Sequence, residues 1–519
     1  MSLTTRALRA APTARLDFRL LGRAFLVLGL GLALLAPLSP DPLAFAAGGL
    51  APWLMLQICG TPTMPAAVAF YLLWQWLQVF ARALIGLVDS EAMAQSVYGP
   101  WVEDAYWYSL AGIVTLAVAF RLVLRGPPAN ENDRTAHLRW RPVDAFYLYL
   151  AAYAFNLGAQ YAYRLVPTIY QQLNALGQFK IAAMFLLFVV VLSTGQGMRF
   201  LLAAVALEVV MGFSALLSDF RGVFVVLALA ALGARIRWSG TASAAAAGWA
   251  TILIVLALFW TTVKQDYRSF ATGGTEESQA LSMPIEERLA YMAGRVASPG
   301  DVDWNAASYV LLVRLAYVDI FGSVIGVDRF GRQHIPMRQW RDALSHSTMP
   351  RALFPGKAEL SDTEVFVRLA MADPTETYRL NTSISVGYLA ENYVDLGFPG
   401  MLAGVFAIGV MMAGICRYIM TRPVPWMLRE ATVAAFIYIT SLNGIEMSLP
   451  KMFGAALMFF IVYMAVIKFG YPPLVRWLDS RAGAAPAGAF RADEPPSEAG
   501  RRPVVIDPVS RGGGPLWPS

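Results

Sequence analysis

An arginine followed by a glycine stands in the turn between two apolar stretches, in Ser218-Asp219-Phe220-Arg221-Gly222. An arginine in an apolar helix costs about 2.5–3.5 kcal/mol at the helix centre and less near an end. Such a residue is either a snorkelling interfacial anchor or a ligand-binding cation, and Gly222 leaves room for close approach. A second concentration of charge follows, with Arg329, Arg332, Arg338, Arg341, Arg351 and Lys357 close together and His334 and His346 between them. Guanidinium groups grip phosphate oxygens in a bidentate fork that lysine cannot copy. A solvated basic face or contact with anionic lipid accounts for the same pattern. Third, residues 381–397 carry hydroxyls, amides, Tyr388, Glu391 and Tyr393 straight into an apolar stretch. That mixture suits a sugar, which offers hydroxyls and flat faces. An interfacial aromatic belt explains the tyrosines but not Glu391. A carboxylate beside an apolar span titrates high and is suited to act as a base; His334 is the lesser candidate for that role.

The elements that must position these residues are membrane spans. Hydrophobic residues form 57% of the 519-residue chain and charged residues 15%, and the mean hydropathy is +0.51. A soluble domain of this size needs a far more charged surface. The apolar residues fall in about twelve blocks suited to a hydrocarbon layer of roughly 30 Å. Their cores are 24–36, 43–59, 66–88, 107–120, 145–163, 181–192, 200–217, 220–232, 247–263, 398–420, 431–442 and 452–469. The expected fold is an all-α polytopic membrane protein with helices 1–9 over 24–263 and helices 10–12 over 398–470. Residues 264–397 form a large extracytoplasmic loop, much longer than an ordinary connection. Within it, 306–325 has helical spacing that suits the membrane surface or packing on the bundle. The Pro-, Gly- and Arg-rich tail, 471–519, reads as disordered.

Charge placement sets the orientation. Arg6, Arg9, Arg15, Arg19 and Arg23 precede the first block, read as an uncleaved span, so 1–23 is cytoplasmic. Arg121–Arg141, Arg235 with Arg237, Arg417–Arg429 and the tail then share that side, whereas Asp89, Glu91, Glu103 and Asp104 face the other. The net charge of +6 therefore requires no nucleic-acid partner. Cys59 and Cys416 lie in separate apolar blocks, and three histidines offer no metal-ligand spacing. No metal or cofactor is expected, and no glycine-rich nucleotide loop is present.

SDFRG at an outer turn, PRALFPGK (350–357) in the large loop and GYLAENYVDLGFPG (387–400) before a late span resemble the Wzy-type O-antigen and exopolysaccharide repeat-unit polymerases, in that order and topology. The resemblance covers roughly 200–469; the first half matches only as a set of spans. It implies a GT-C-like integral-membrane glycosyltransferase of the bacterial inner membrane. Its donor is a glycan on undecaprenyl diphosphate, its acceptor a second lipid-linked repeat unit, and a chain-length regulator and a flippase are further candidate partners. Carried over by the resemblance, Arg221, Arg351 and, in VLLVRLAYVDIF (310–321), Arg314 contact diphosphate or glycan. On this basis Glu391 and Arg221 are the catalytic candidates. Arg314, Arg351, Lys357, His334, Tyr388 and Tyr393 are the substrate-binding ones.

Other readings stay open. An O-antigen ligase uses the same donor with a lipid A core acceptor. A prenyl-monophosphate glycosyltransferase needs acids in the first outer loop, where only Asp41 stands. A transporter or flippase would show broken helices and midplane charges, for which Glu208 is the main feature. A structural partner of export proteins would show no turnover.

Overall fold

The computed structural model of the chain describes residues 16–61, 63–125, 131–165, 170–214, 220–273, 282–298, 300, 303–329, 335–349, 354, 356–357, 361–371, 384–441 and 444–482. No strand occurs among them. The first half contains α1 (Phe18–Leu35), α2 (Pro42–Cys59), α3 (Ala66–Asp89), α4 (Val102–Val123), α5 (Glu131–Thr135), α6 (Pro142–Leu165), α7 (Tyr170–Gly177), α8 (Phe179–Thr194), α9 (Met198–Ser214), α10 (Arg221–Gly233) and α11 (Gly240–Ala271). Then come α12 (Ile285–Ala297), α13 (Trp304–Leu315), α14 (Val318–Arg329), α15 (Arg338–Thr348) and α16 (Asp362–Ala370). The last are α17 (Gly387–Leu396), α18 (Met401–Met420), α19 (Trp426–Ser441), α20 (Leu449–Ala465) and α21 (Tyr471–Ser480).

Among the described residues eight helices are long and apolar enough to cross a bilayer, or nine if α13 and α14, bent by 50° at their junction, form one broken span. The chain is a multi-pass helical membrane protein. Helices occupy all twelve apolar blocks, but those in α6, α9, α10 and α19 fall outside the eight. Three of these are short, at 17, 13 and 16 residues. The fourth, α6, is interrupted by Asn156, Gln160 and Arg164. The bundle has an inside and a lipid-suited outside: the apolar windows of α3 and α8 are 72% buried, those of α1 and α11 only 17% and 6%. Apolar helices so exposed find their solvent in acyl chains.

Polar atoms join the central helices. Trp76 Nε1 donates to the Gly48 carbonyl at 2.7 Å, and the Tyr106 hydroxyl to that of Ala44 at 2.9 Å. Gly48 must be glycine, because a Cβ there would lie 1.9 Å from the Tyr106 oxygen. Buried Glu208 has an ordinary explanation: it accepts from the Tyr149 hydroxyl and forms an ion pair with Lys180, both at 2.9 Å.

The basic segments gather at one end. Arg429 pairs with Asp133, whose carboxylate also accepts from Trp426 N at 2.9 Å. Arg481 lies 3.4 Å from Asp144, and Arg417 donates to the Val123 carbonyl at 3.3 Å. Leu16 N meets the Ile236 carbonyl at 2.8 Å, beside Arg235 and Arg237. The chain therefore has a basic end, formed by the segments whose charge set the expected orientation.

Within 264–397 the described residues are largely helix packed on the bundle. α11 runs beyond Val263 to Ala271, placing Lys264 and Arg268 on a continuous helix. α13 and α14 pack on α3, and α14 also on α4. The buried Arg82–Asp319 pair, 3.4 Å apart, ties α14 to α3. α17 lies buried against α14, α15 and α18.

Candidate functional site

Two short helices create the site. α10 and α19, both reaching the basic end, are about 20 and 24 Å long at 1.5 Å per residue, against about 36 Å for the 24-residue α3. Their other ends therefore stop inside the bundle. Arg221 opens α10, and Gly222 allows Tyr438 of α19 to pack where a Cβ would lie 2.3 Å from its hydroxyl. Beyond α19 the chain forms a single turn, Gly444–Glu446, before α20.

That turn is held from two sides. From near the middle of α3, Gln78 accepts from Ile445 N at 2.9 Å and donates to Glu446 Oε1 at 3.3 Å. Gly444, at φ +63°, is a required glycine: a Cβ there would sit 1.9 Å from Gln78 Oε1. From the other side comes α17, whose Gly387 (φ +81°) lies so close to the Ile445 carbonyl that a Cβ would approach within 2.2 Å. Glu391 then accepts from Leu449 N at 2.6 Å, satisfying an orphan donor of α20. Asp395, one turn on, does the same for α15, accepting from Gln339 N and Trp340 N at 3.1 and 2.9 Å. Within α17, Tyr388 donates to Gln75 of α3.

The turn presents Glu446 to cations. Burial raises the Glu446 carboxyl, and the charges of Arg221, Arg314 and Lys264 oppose that rise; Arg314 and Arg268 act in turn on Lys264, and Arg314 on Arg268. Four elements supply this cluster: α10, α11, α13 and the Gly444–Glu446 turn. Arg314 is exposed, and Arg221, Lys264, Arg268 and Glu446 are half-buried, so an incoming ligand can reach them. Three cations act on that one carboxylate and a fourth acts on Lys264, so the cluster has a positive field. Such a field attracts anions.

The residues singled out in the sequence separate here. Arg221 and Arg314 meet in the cluster. Glu391 backs it but is 1% exposed. Burial pushes its carboxyl up to about 8; Asp362 and Asp395 add to the rise, and the Leu449 N–H and Arg368 oppose it. Tyr388 is fully buried. Tyr393 turns elsewhere, stacking on Tyr108 and interacting with Arg329, which also pairs with Asp104 at 3.3 Å. Lys357 donates to the carbonyls of His346 and Met349 at 2.5 and 2.8 Å. Arg351 and His334 lie outside the described residues, as do Ser218 and Asp219. Among the described residues no group of His, Cys, Asp and Glu could hold a metal ion.

Comparison with known proteins adds no relative. No protein-family model, no curated protein and no solved structure matches the chain.

Lys264, Arg268, Gln78 and Glu446 were missed from the sequence. The first two carried a signal, since cations four residues apart at the end of an apolar block share one helix face. Glu446 had a weaker one, a carboxylate two residues after a glycine in a short connection. Gln78 had none, because its role depends on a contact 367 residues along the chain.

Proposed function

We propose that this protein polymerises oligosaccharide repeat units carried on undecaprenyl diphosphate, working at the end of the bundle opposite its basic segments. What supports this is the group of Arg221, Lys264, Arg268 and Arg314 around the Gln78-held turn, where the short helices α10 and α19 end. A lipid diphosphate is an anion tethered to a polyprenyl chain, and a cationic cluster within an apolar bundle matches both parts. With the basic end cytoplasmic, the cluster lies toward the periplasmic side of an inner membrane, where lipid-linked glycans are assembled into O-antigen or exopolysaccharide.

The acceptor hydroxyl attacks the anomeric carbon of the donor, and undecaprenyl diphosphate departs with the bonding electron pair. Negative charge grows on the leaving phosphate. Preorganised guanidinium groups stabilise that charge most in the transition state, which lowers the barrier. Arg221 and Arg314 are placed for this, and Arg351 of the large loop remains a proposed glycan or diphosphate contact. Glu391 and Tyr388 act from behind, by fixing the Gly444–Glu446 turn against α3.

Deleting the gene tests this in the cell. Single repeat units on undecaprenyl diphosphate should accumulate while long polymer disappears. Unchanged polymer would refute the proposal, and loss only of transfer to a lipid A core would assign a ligase instead.

A further inference from the structure

We infer that Glu446 is the catalytic base of the proposed transfer, taking the acceptor hydroxyl's proton from its place among Arg221, Lys264 and Arg314. The inference rests on the polymerase reading and adds to it the residue that handles the proton.

Three observations carry it. Glu446 is the carboxylate that faces the cation cluster, and it is half-buried, so it can touch a ligand. Two further carboxylates lie nearby and are occupied: Glu391 is 1% exposed and holds the Leu449 N–H, and Asp362 accepts from Ser448 and pairs with Lys451. Glu446 is also oriented: Gln78 donates to its Oε1 and anchors the preceding residue, while α17 closes on Ile445 from the other side. A carboxylate whose backbone is clamped and whose head is steered is what a positioned base requires.

The placement suits the reaction. In a displacement at the anomeric carbon, the attacking hydroxyl lies across the carbon from the departing phosphate oxygen. One site must then supply both cations for the phosphate and an acceptor for the proton. Arg221, Arg314 and Lys264 supply the first, and Glu446 supplies the second. The hydroxyl O–H bond breaks and its proton passes to Glu446. The new C–O bond forms as the old C–O bond to phosphate breaks, and the electron pair leaves on the diphosphate. Glu446 returns its proton to water or to the departing phosphate, which restores the site. No oxidant, reductant or cofactor enters the balance. The groups facing Glu446 are Arg221 from α10, Lys264 from α11, Arg314 from α13, Gln78 from α3, and Tyr317 between α13 and α14.

Purified full-length protein in lipid vesicles tests the assignment. Its substrate is the lipid-linked repeat unit extracted from the deletion strain, and farnesyl diphosphate serves as a separate binding probe. Glu446→Gln should lower kcat by about a hundredfold or more, the usual scale for a lost general base. It should bind farnesyl diphosphate as tightly as the parent or more so, because an anion has left the cation cluster. Glu446→Asp, which keeps a carboxylate, should fall between. A glutamine variant turning over within about threefold of the parent, far short of a general base's usual contribution, would overturn the assignment. So would parallel loss of kcat and of farnesyl diphosphate binding, which would mark a structural carboxylate. A parent protein inert on repeat units, yet still binding the probe, would overturn the polymerase reading itself and this inference with it.

Discussion

Glu391 shows how a residue type can be legible while its role is not. A carboxylate beside an apolar span reads as a base, and burial does raise it to about 8, as expected of such a position. The structure shows that its acceptor oxygen meets Leu449 N, a contact between residues 58 apart that no local pattern announces. The raised value has a consequence for stability. In the unfolded chain the carboxyl loses its proton near 4.5, and in the folded protein near 8. The folded state is thus favoured below the lower value, and that advantage is lost as pH rises through the upper one. Thermal unfolding in detergent should show the protein losing stability between about pH 4.5 and pH 8. Glu391→Gln, which cannot ionise, should flatten that slope by an amount on the order of a few kcal/mol. Equal slopes for variant and parent would show that Glu391 is ionised in both states.

Among the elements, the bent pair α13–α14 departs most from its sequence pattern. Its helical spacing is visible, and packing on the bundle is one of two placements that spacing allows. The bend is not visible; beside it Ala316 packs against Ala81 and Ile85 of α3, a contact distant in sequence. Asp319 explains how the pair is held: it meets Arg82 in a buried ion pair, the two residues 4% and 3% exposed. Removing one partner of such a pair leaves an uncompensated charge, at a cost of about 3–5 kcal/mol. Arg82→Leu and Asp319→Leu should each destabilise the protein by that order, and the double variant should recover most of the loss. A double-mutant cycle in thermal or denaturant unfolding reads this directly. Additive losses would mean that the pair contributes nothing as a pair. The short helices carry a related lesson. Their apolar blocks are clear, but that their ends stop inside the bundle follows only from lengths compared with α3.

For the whole molecule, the membrane class and the gathering of basic segments are legible, because both depend on composition and order rather than on distant contacts. The four-cation cluster is half legible. Arg221 and Arg314 stand out, while Lys264 and Arg268 fall in the expected loop because α11 runs two turns beyond the apolar block that announces it. The sidedness makes its own prediction. With single cysteines introduced in a background lacking Cys59 and Cys416, an impermeant thiol reagent in intact cells should label position 347 and leave position 134 protected. The reverse pattern would invert the topology and put the cluster on the cytoplasmic side.

The central claim is that the cation cluster drives lipid-diphosphate departure during polymerisation. Reconstituting the purified protein with lipid-linked repeat units and resolving the products by size tests it most directly. The parent should give a ladder of products longer than one repeat. Arg221→Lys, which keeps the charge and loses the bidentate fork, should lose at least about nine-tenths of that output at normal protein level, the effect of roughly 1.4 kcal/mol on the barrier. A full ladder from the lysine variant would return Arg221 to an interfacial anchor and contradict the account.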